Sequence, residues 1–173
     1  MIRPKKSLGQ NFLIDNNIIN KITKLSGIKG NNIVEIGPGT GNLTRKILEQ
    51  NPKSLILIEK DQKLSDSLID EFNKNKKIKI FTEDILRFKL EEKINENSVI
   101  IGNLPYNIST QILVKLIKFK TWLPKYKKLI LMFQKEVAEK IIAKQKTSSF
   151  GRLAVLTNAR LKITDYFHVS KNS

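Results

Sequence analysis

The chain has 173 residues, 40% of them hydrophobic, and 32 Lys and Arg against 16 Asp and Glu, for a formal charge of +16. That length and apolar content suit one domain with a real core and exclude a disordered chain. With no cysteine and one histidine, His168, disulfides and thiolate metal sites are excluded and a zinc site lacks ligands.

No apolar run approaches the ~20 residues that span a bilayer. The basic N-terminus, Met1 to Lys6, is not followed by an apolar signal core, so a cytoplasmic location is the default. The positive charge suits a polyanion, because basic surfaces gain affinity by releasing phosphate counterions. A composition rich in Lys, Asn and Ile is the competing explanation.

Short β-type runs alternate with amphipathic helical stretches. Ile18, Ile19, Ile22 and Leu25 have helical spacing, with Asp15 as cap and Gly27 as stop. Asn32 to Ile36 reads as a strand, and Leu43, Ile47 and Leu48 as one face of the helix after it. Ser54 to Ile58 is a second strand, then Leu64, Leu68 and Phe72 mark a helix. Lys77 to Phe81 is a third strand and Ser98 to Ile101 a fourth, followed by a helix carrying Ile112, Leu113, Leu116 and Ile117. Leu129 to Phe133 is a fifth, with Val137, Ala138, Ile141 and Ile142 on the next helix. Arg152 to Asn158 reads as a short helix and Ala159 to Val169 as a further strand. Such alternation implies crossover connections, a mainly parallel α/β sheet, and ligands beyond the carboxyl ends of its strands.

The motifs fall at those ends. Glu35-Ile36-Gly37-Pro38-Gly39-Thr40-Gly41 follows the first strand. Glycines there allow a tight turn and close approach of a ligand to the backbone. A dinucleotide fingerprint needs a sixth-position glycine where Asn42 stands, so a pyrophosphate cradle is disfavoured. The string resembles motif I of class I S-adenosylmethionine-dependent methyltransferases, which have a Rossmann-like fold. Glu59 ends the second strand, where its two oxygens suit two ribose hydroxyls; Asp61 fits helix capping better. Asp84, after the third strand, suits the cofactor's adenine amine, with Glu83 as its surface neighbour. After the fourth strand come Asn103, Leu104, Pro105 and Tyr106, an amide, a rigid proline and an aromatic ring suited to a flat, hydrogen-bonding base.

Together with Lys6 to Leu13, Phe133 to Val137 and Gly151 to Leu153, these segments resemble the rRNA adenine N(6)-methyltransferase family, in its small-subunit dimethyltransferase branch. The resemblance implies cofactor contacts from Asn11, Leu13, Gly37, Glu59, Asp84 and Asn103. It places the target adenine at Asn103, Leu104, Pro105 and Tyr106. It implies S-adenosyl-L-methionine as cofactor and no metal. It also implies dimethylation of the exocyclic amines of adjacent adenines in ribosomal RNA, within an immature small subunit, by a monomer. Lys5, Lys6, Lys135 and Arg152 are candidate phosphate contacts, as is a patch of Lys115, Lys118, Lys120, Lys125, Lys127 and Lys128. Trp122, inside that patch, reads as core.

The family pattern continues beyond Phe167-His168-Val169 with another aromatic, a last antiparallel strand and a small helical domain. Residues 1–173 therefore read as a catalytic domain incomplete at its C-terminus, with the last strand missing and the helical C-terminal domain absent. The alternatives are a large-subunit rRNA adenine methyltransferase of the resistance type, a DNA adenine methyltransferase, and a non-catalytic ribosome-assembly factor.

Overall fold

In the strand runs, successive side chains point to opposite faces, and apolar residues at nearly every position demand cover on both. The computed structural model describes residues 12–121 and 123–170. The expectations for Lys5, Lys6, Asn11 and Trp122 lie outside the described residues.

The elements are α1 (Asn16–Ser26), β1 (Asn32–Ile36), α2 (Asn42–Glu49), β2 (Ser54–Glu59), α3 (Gln62–Phe72), β3 (Ile78–Thr82), α4 (Leu90–Lys93), β4 (Ser98–Asn103), α5 (Ser109–Ile117), β5 (Tyr126–Met132), α6 (Lys135–Ile142) and α7 (Arg152–Arg160). The five strands form one sheet in the order β3-β2-β1-β4-β5, and every pairing is parallel. Ile33, Leu55, Leu57, Val99 and Ile101 turn to one face, where Ile19 and Ile22 of α1 and Leu43 and Ile47 of α2 cover them. Val34, Ile36, Ile56, Ile58 and Ile100 turn to the other, under Ile112 and Leu116 of α5 and Leu90 of α4. A third cluster joins Leu113 and Ile117 of α5 to Ile141 of α6.

Local signals set the helix ends. Asp15 caps α1, its carboxylate accepting from the amides of Asn17 at 2.8 Å and Ile18 at 3.3 Å, and Gly27 ends it at φ +61°. Asp61 caps α3 through the amides of Lys63 and Leu64, as its position predicts.

Two readings need correction. Ala159 to Val169 is not a strand: Ala159 and Arg160 finish α7, and residues 161–170 run without a ladder. A strand takes its backbone hydrogen bonds from a neighbour, and this segment instead packs side chains across the fold. Leu161 joins the α5 side and Phe167 the α1 side, with the Lys21 ammonium 3.9 Å from the centre of the Phe167 ring. The fifth strand also starts earlier than Leu129. Its pairing shifts between Ser98↔Tyr126 and Val99↔Lys128, skipping Lys127. That bulge breaks the two-residue period on which the sequence expectation rests. Tyr126 is buried there, its hydroxyl donating to the Leu116 carbonyl at 3.0 Å.

Leu57 sits in β2 with no exposed surface. Leu57→Ala should lower the unfolding free energy by about 2–5 kcal/mol, read as a lower urea midpoint at unchanged slope.

Candidate active site

From β1 the chain passes to β2 on one side, while β4 pairs with β1 on the other. The carboxyl ends of β1 and β4 therefore border a crevice at a topological switch point. Ile36 pairs with Gly102 in register, so the glycine loop and the Asn103 segment leave the sheet side by side. A Cβ placed on Gly37 would lie 3.7 Å from the Asn103 carbonyl oxygen.

The loop is held open by glycine geometry. Gly37 and Gly39 have φ of +69° and +59°, in the left-handed region that favours glycine. A Cβ on Gly39 would stand 3.0 Å from the Phe12 ring, so Phe12 closes over the loop only because the side chain is absent. The Gly37 amide donates to the Ile58 carbonyl at 2.9 Å, tying the loop to β2. The opening, a cavity of about 90 Å³ continuous with solvent, is lined by Phe12, Gly37, Glu59, Asp84, Asn103 and Pro105 among others. A smaller recess beside it is bounded by Leu13, Glu35, Thr40 and Asn42.

Two buried carboxyls stand under the loop. Glu59 accepts from the Gly39 amide at 3.1 Å and the Asp61 amide at 2.8 Å. Burial pushes its pKa up, against the lowering effect of those amides. Glu35 lies on the α2 side and accepts from the Thr44 hydroxyl at 2.7 Å. Burial is the main force raising its pKa from 4.5 to about 7, opposed by the Thr44 hydrogen bond and aided by the Glu59 charge.

Asp84 and Ile85 form the wall beyond β3. The Asp84 carboxylate meets the Lys60 ammonium at 2.8 Å and accepts from the Leu86 amide at 2.9 Å. Lys60, then burial working the other way, sets the balance that lowers its pKa. Glu83 is exposed and borders the same opening. Lys115 does not belong to a surface patch. From α5 its ammonium donates to the carbonyls of Leu86 at 2.8 Å and Phe88 at 2.7 Å, pinning the loop that carries Asp84 to the helix that follows Tyr106. Burial lowers its pKa.

Asn103 and Pro105 line the opening, whereas Leu104 and Tyr106 are not among its lining residues; the Leu104 side chain enters the core, 2% exposed. A Cβ on Gly102 would fall 2.6 Å from Leu104 Cδ2, so that glycine makes the room Leu104 fills. Pro105 accepts from the Ile108 amide at 3.2 Å and the Tyr106 carbonyl accepts from the Ser109 hydroxyl at 3.3 Å, fixing the turn into α5. Tyr106 is 38% exposed. Leu13 is buried, and its carbonyl accepts from the Asn42 amide group at 3.0 Å. Gly37, Glu59, Asp84, Asn103 and Pro105 thus share one opening, with Leu13 at its adjoining recess.

The model of the family described as Ribosomal RNA adenine dimethylase matches residues 1–172. The chain belongs to this family. Ribosomal RNA small subunit methyltransferase A of Pelagibacter ubique (strain HTCC1062) is 41% identical over 175 residues, covering 99% of this chain and 65% of the relative. The chain thus spans just under two thirds of that relative's length. Among solved structures, a dimethyladenosine transferase from Plasmodium falciparum superposes with a TM-score of 0.74 at 30% identity, over 86% of this chain and 52% of that one. The 23S rRNA methyltransferase ErmE gives 0.67 at 26%, over 85% and 55%. The fold is the Rossmann-like one of class I S-adenosylmethionine-dependent methyltransferases, and S-adenosyl-L-methionine is the cofactor that goes with it in this family.

Phe12, Lys60, Ile85 and Asn107 also line the opening and escaped the sequence expectation. Phe12 sits inside the quoted Lys6 to Leu13 segment, and Lys60 directly follows Glu59, so adjacency was the available signal. Ile85 and Asn107 carry none beyond adjacency to Asp84 and Tyr106.

Because its native pKa lies above its unfolded value, Glu35 holds extra protons in the folded state between about pH 4.5 and about 7. Its contribution to stability is therefore greatest below that window and falls as pH rises through it. Glu35→Gln keeps an acceptor for Thr44. It should remove that slope and leave the variant more stable than the parent above pH 7, by about 3 kcal/mol; urea melts at pH 5 and pH 8 give the comparison.

Proposed function

We propose that this chain is the methyl-transferring part of a small-subunit rRNA adenine dimethyltransferase. The observation that carries the reading is the convergence of Gly37, Glu59, Asp84 and Asn103 on one crevice at the β1/β4 switch. S-adenosylmethionine, when bound, supplies an electrophilic sulfonium methyl. The residues present fit it. Gly37 and Gly39 let a ligand reach the backbone. The Glu59 carboxylate accepts from the amides of Gly39 and Asp61, and its remaining acceptor capacity suits a ribose hydroxyl. Asp84, held ionised by Lys60, keeps acceptor capacity for an adenine amine. Leu13 acts through its backbone and Asn11 by family resemblance.

An adenine amine is a weak nucleophile because its lone pair is delocalised into the ring. The chain supplies alignment and dipoles rather than a strong base. The Asn103 side-chain oxygen and the Leu104 carbonyl accept the two amine hydrogens and leave the nitrogen lone pair directed at the methyl. The nitrogen would gain positive charge as it takes the methyl, the bonding pair staying on sulfur as a neutral thioether, and both acceptors would then act most strongly. Its proton leaves to water. Pro105 restricts φ so that the Leu104 carbonyl is held in place. The accessible Tyr106 ring stacks on a base extruded from its helix, at a gain of ~1–3 kcal/mol.

The ErmE superposition makes large-subunit RNA the second reading; the name of the Pelagibacter relative favours the small subunit. Radiolabelled methyl transfer should label immature small subunits, and not free large-subunit RNA or duplex DNA. Preferential labelling of either of the latter overturns the assignment. Asn103→Ala should cost at least ~100-fold in rate, the scale of losing one preorganised polar contact, while calorimetry finds cofactor affinity within a few-fold of the parent. A rate within a few-fold of the parent would remove Asn103 from the chemistry. Tyr106→Phe should keep most RNA affinity and Tyr106→Ala should lose it; equal losses would implicate the hydroxyl instead of the ring.

A further inference from the structure

We propose that the pole of the sheet opposite the crevice is a second RNA-contacting surface, taking the phosphate backbone of a ribosomal RNA segment remote from the target adenine. The proposal rests on the RNA reading above. Because all the pairings are parallel, the turns that lead into the strands gather at one edge and those that leave them at the other. The two edges differ in charge. Lys29 precedes β1, Lys53 precedes β2, Lys76 and Lys77 precede β3, and Lys127 and Lys128 open β5; all six are exposed. Glu96, before β4, is the acid among these turns. At the crevice edge Glu59, Asp61, Glu83 and Asp84 offset Lys60 and Arg87. A lysine-rich composition alone would enrich both edges without regard to strand direction.

The basic turns are also joined to one another. The Gly30 amide donates to the Asn51 carbonyl at 3.1 Å and the Lys53 amide to the Asn31 carbonyl at 2.9 Å. The Lys127 ammonium donates to the Asn31 side chain at 2.7 Å, the Lys128 ammonium to the Leu25 carbonyl at 3.0 Å, and that of Lys77 to the Asn51 side chain. These contacts hold the cations close together on one framework, so less freedom is lost when a polyanion docks. Strands of five to seven residues put the two poles roughly 16–23 Å apart at ~3.3 Å per residue. A short hairpin seated at the crevice does not reach across; a large folded RNA does. The second surface would thus favour structured ribosomal RNA over an isolated target hairpin.

The test compares the parent chain with a pole variant, Lys53→Gln, Lys76→Gln, Lys77→Gln and Lys127→Gln. The control is Lys63→Gln, Lys140→Gln, Lys144→Gln and Lys162→Gln, with the same loss of charge on other surfaces. Binding of full small-subunit rRNA and of a short adenine-bearing hairpin is measured across salt, and S-adenosylmethionine calorimetry checks that each variant remains folded. The pole variant should bind the long RNA at least ~10-fold more weakly near 0.1 M salt, with a log–log salt slope shallower by about 3. Its hairpin affinity should be unchanged, and the control should resemble the parent. Equal losses in pole and control variants, equal losses on both RNAs, or no loss would each overturn the proposal. A parent that binds neither RNA overturns the proposal and the RNA reading together. Unchanged long-RNA binding by the pole variant, with the parent still binding, overturns only the second surface.

Discussion

The parallel pairing of β1 with β4 is the constraint from which the rest of the site follows. It brings Ile36 opposite Gly102, so two segments far apart in sequence leave the sheet at the same level and a crevice opens between them. The residues of that crevice are tied to the sheet and to one another. Gly37 is tied to β2 through Ile58, Glu59 by the amides of Gly39 and Asp61, and Asp84 by Lys60 and Leu86. The geometry of the opening is therefore set by sheet register, whose disruption would turn apolar side chains from buried faces to water.

Electrostatics divides the two buried acids. In Glu59 burial raises the pKa, and the backbone amides of Asp61, Gly39 and Lys60 oppose that rise. Glu35 has one hydroxyl donor and deeper burial. The same residue type thus has a pKa raised to about 7 one strand away from a partner whose amides resist the rise. With its pKa raised to about 7, Glu35 is only partly ionised near neutral pH, which lessens repulsion with Glu59 beneath the loop.

Much of this was legible in the sequence because the physics was local. Asp15, Gly27 and Asp61 announce helix ends by side-chain chemistry, and each does what its type and position predict. Apolar strand runs announce burial on two faces. The glycine loop, Glu59, Asp84 and Asn103 were found because parallel strands place their ends on one edge, so motif position in sequence translated directly into position in space. What was not legible depended on contacts between distant segments. The bulge opposite Ser98 moved the start of β5, and Leu161 and Phe167 were drawn into side-chain packing instead of a ladder. Lys115 looked like one more surface lysine in a basic stretch, and only the arrival of the Leu86 and Phe88 carbonyls beside it makes it a clamp.

Leu104 joins the core to the turn on which the proposed chemistry depends. Its side chain fills space that the missing Cβ of Gly102 leaves, and it packs in the cluster that holds Ile36, Ile58, Ile100 and Ile112. Its carbonyl belongs to the turn that Pro105 and Ile108 close. A polar residue at 104 would lose this anchor by burying a group without a partner, and a smaller apolar one would leave a cavity into which the turn could settle. In either case the carbonyl would move while every polar group of the crevice stayed in the sequence. An apolar side chain between Asn103 and Pro105 thus acts through position, because the backbone it fixes is the group that the proposed mechanism offers to the substrate.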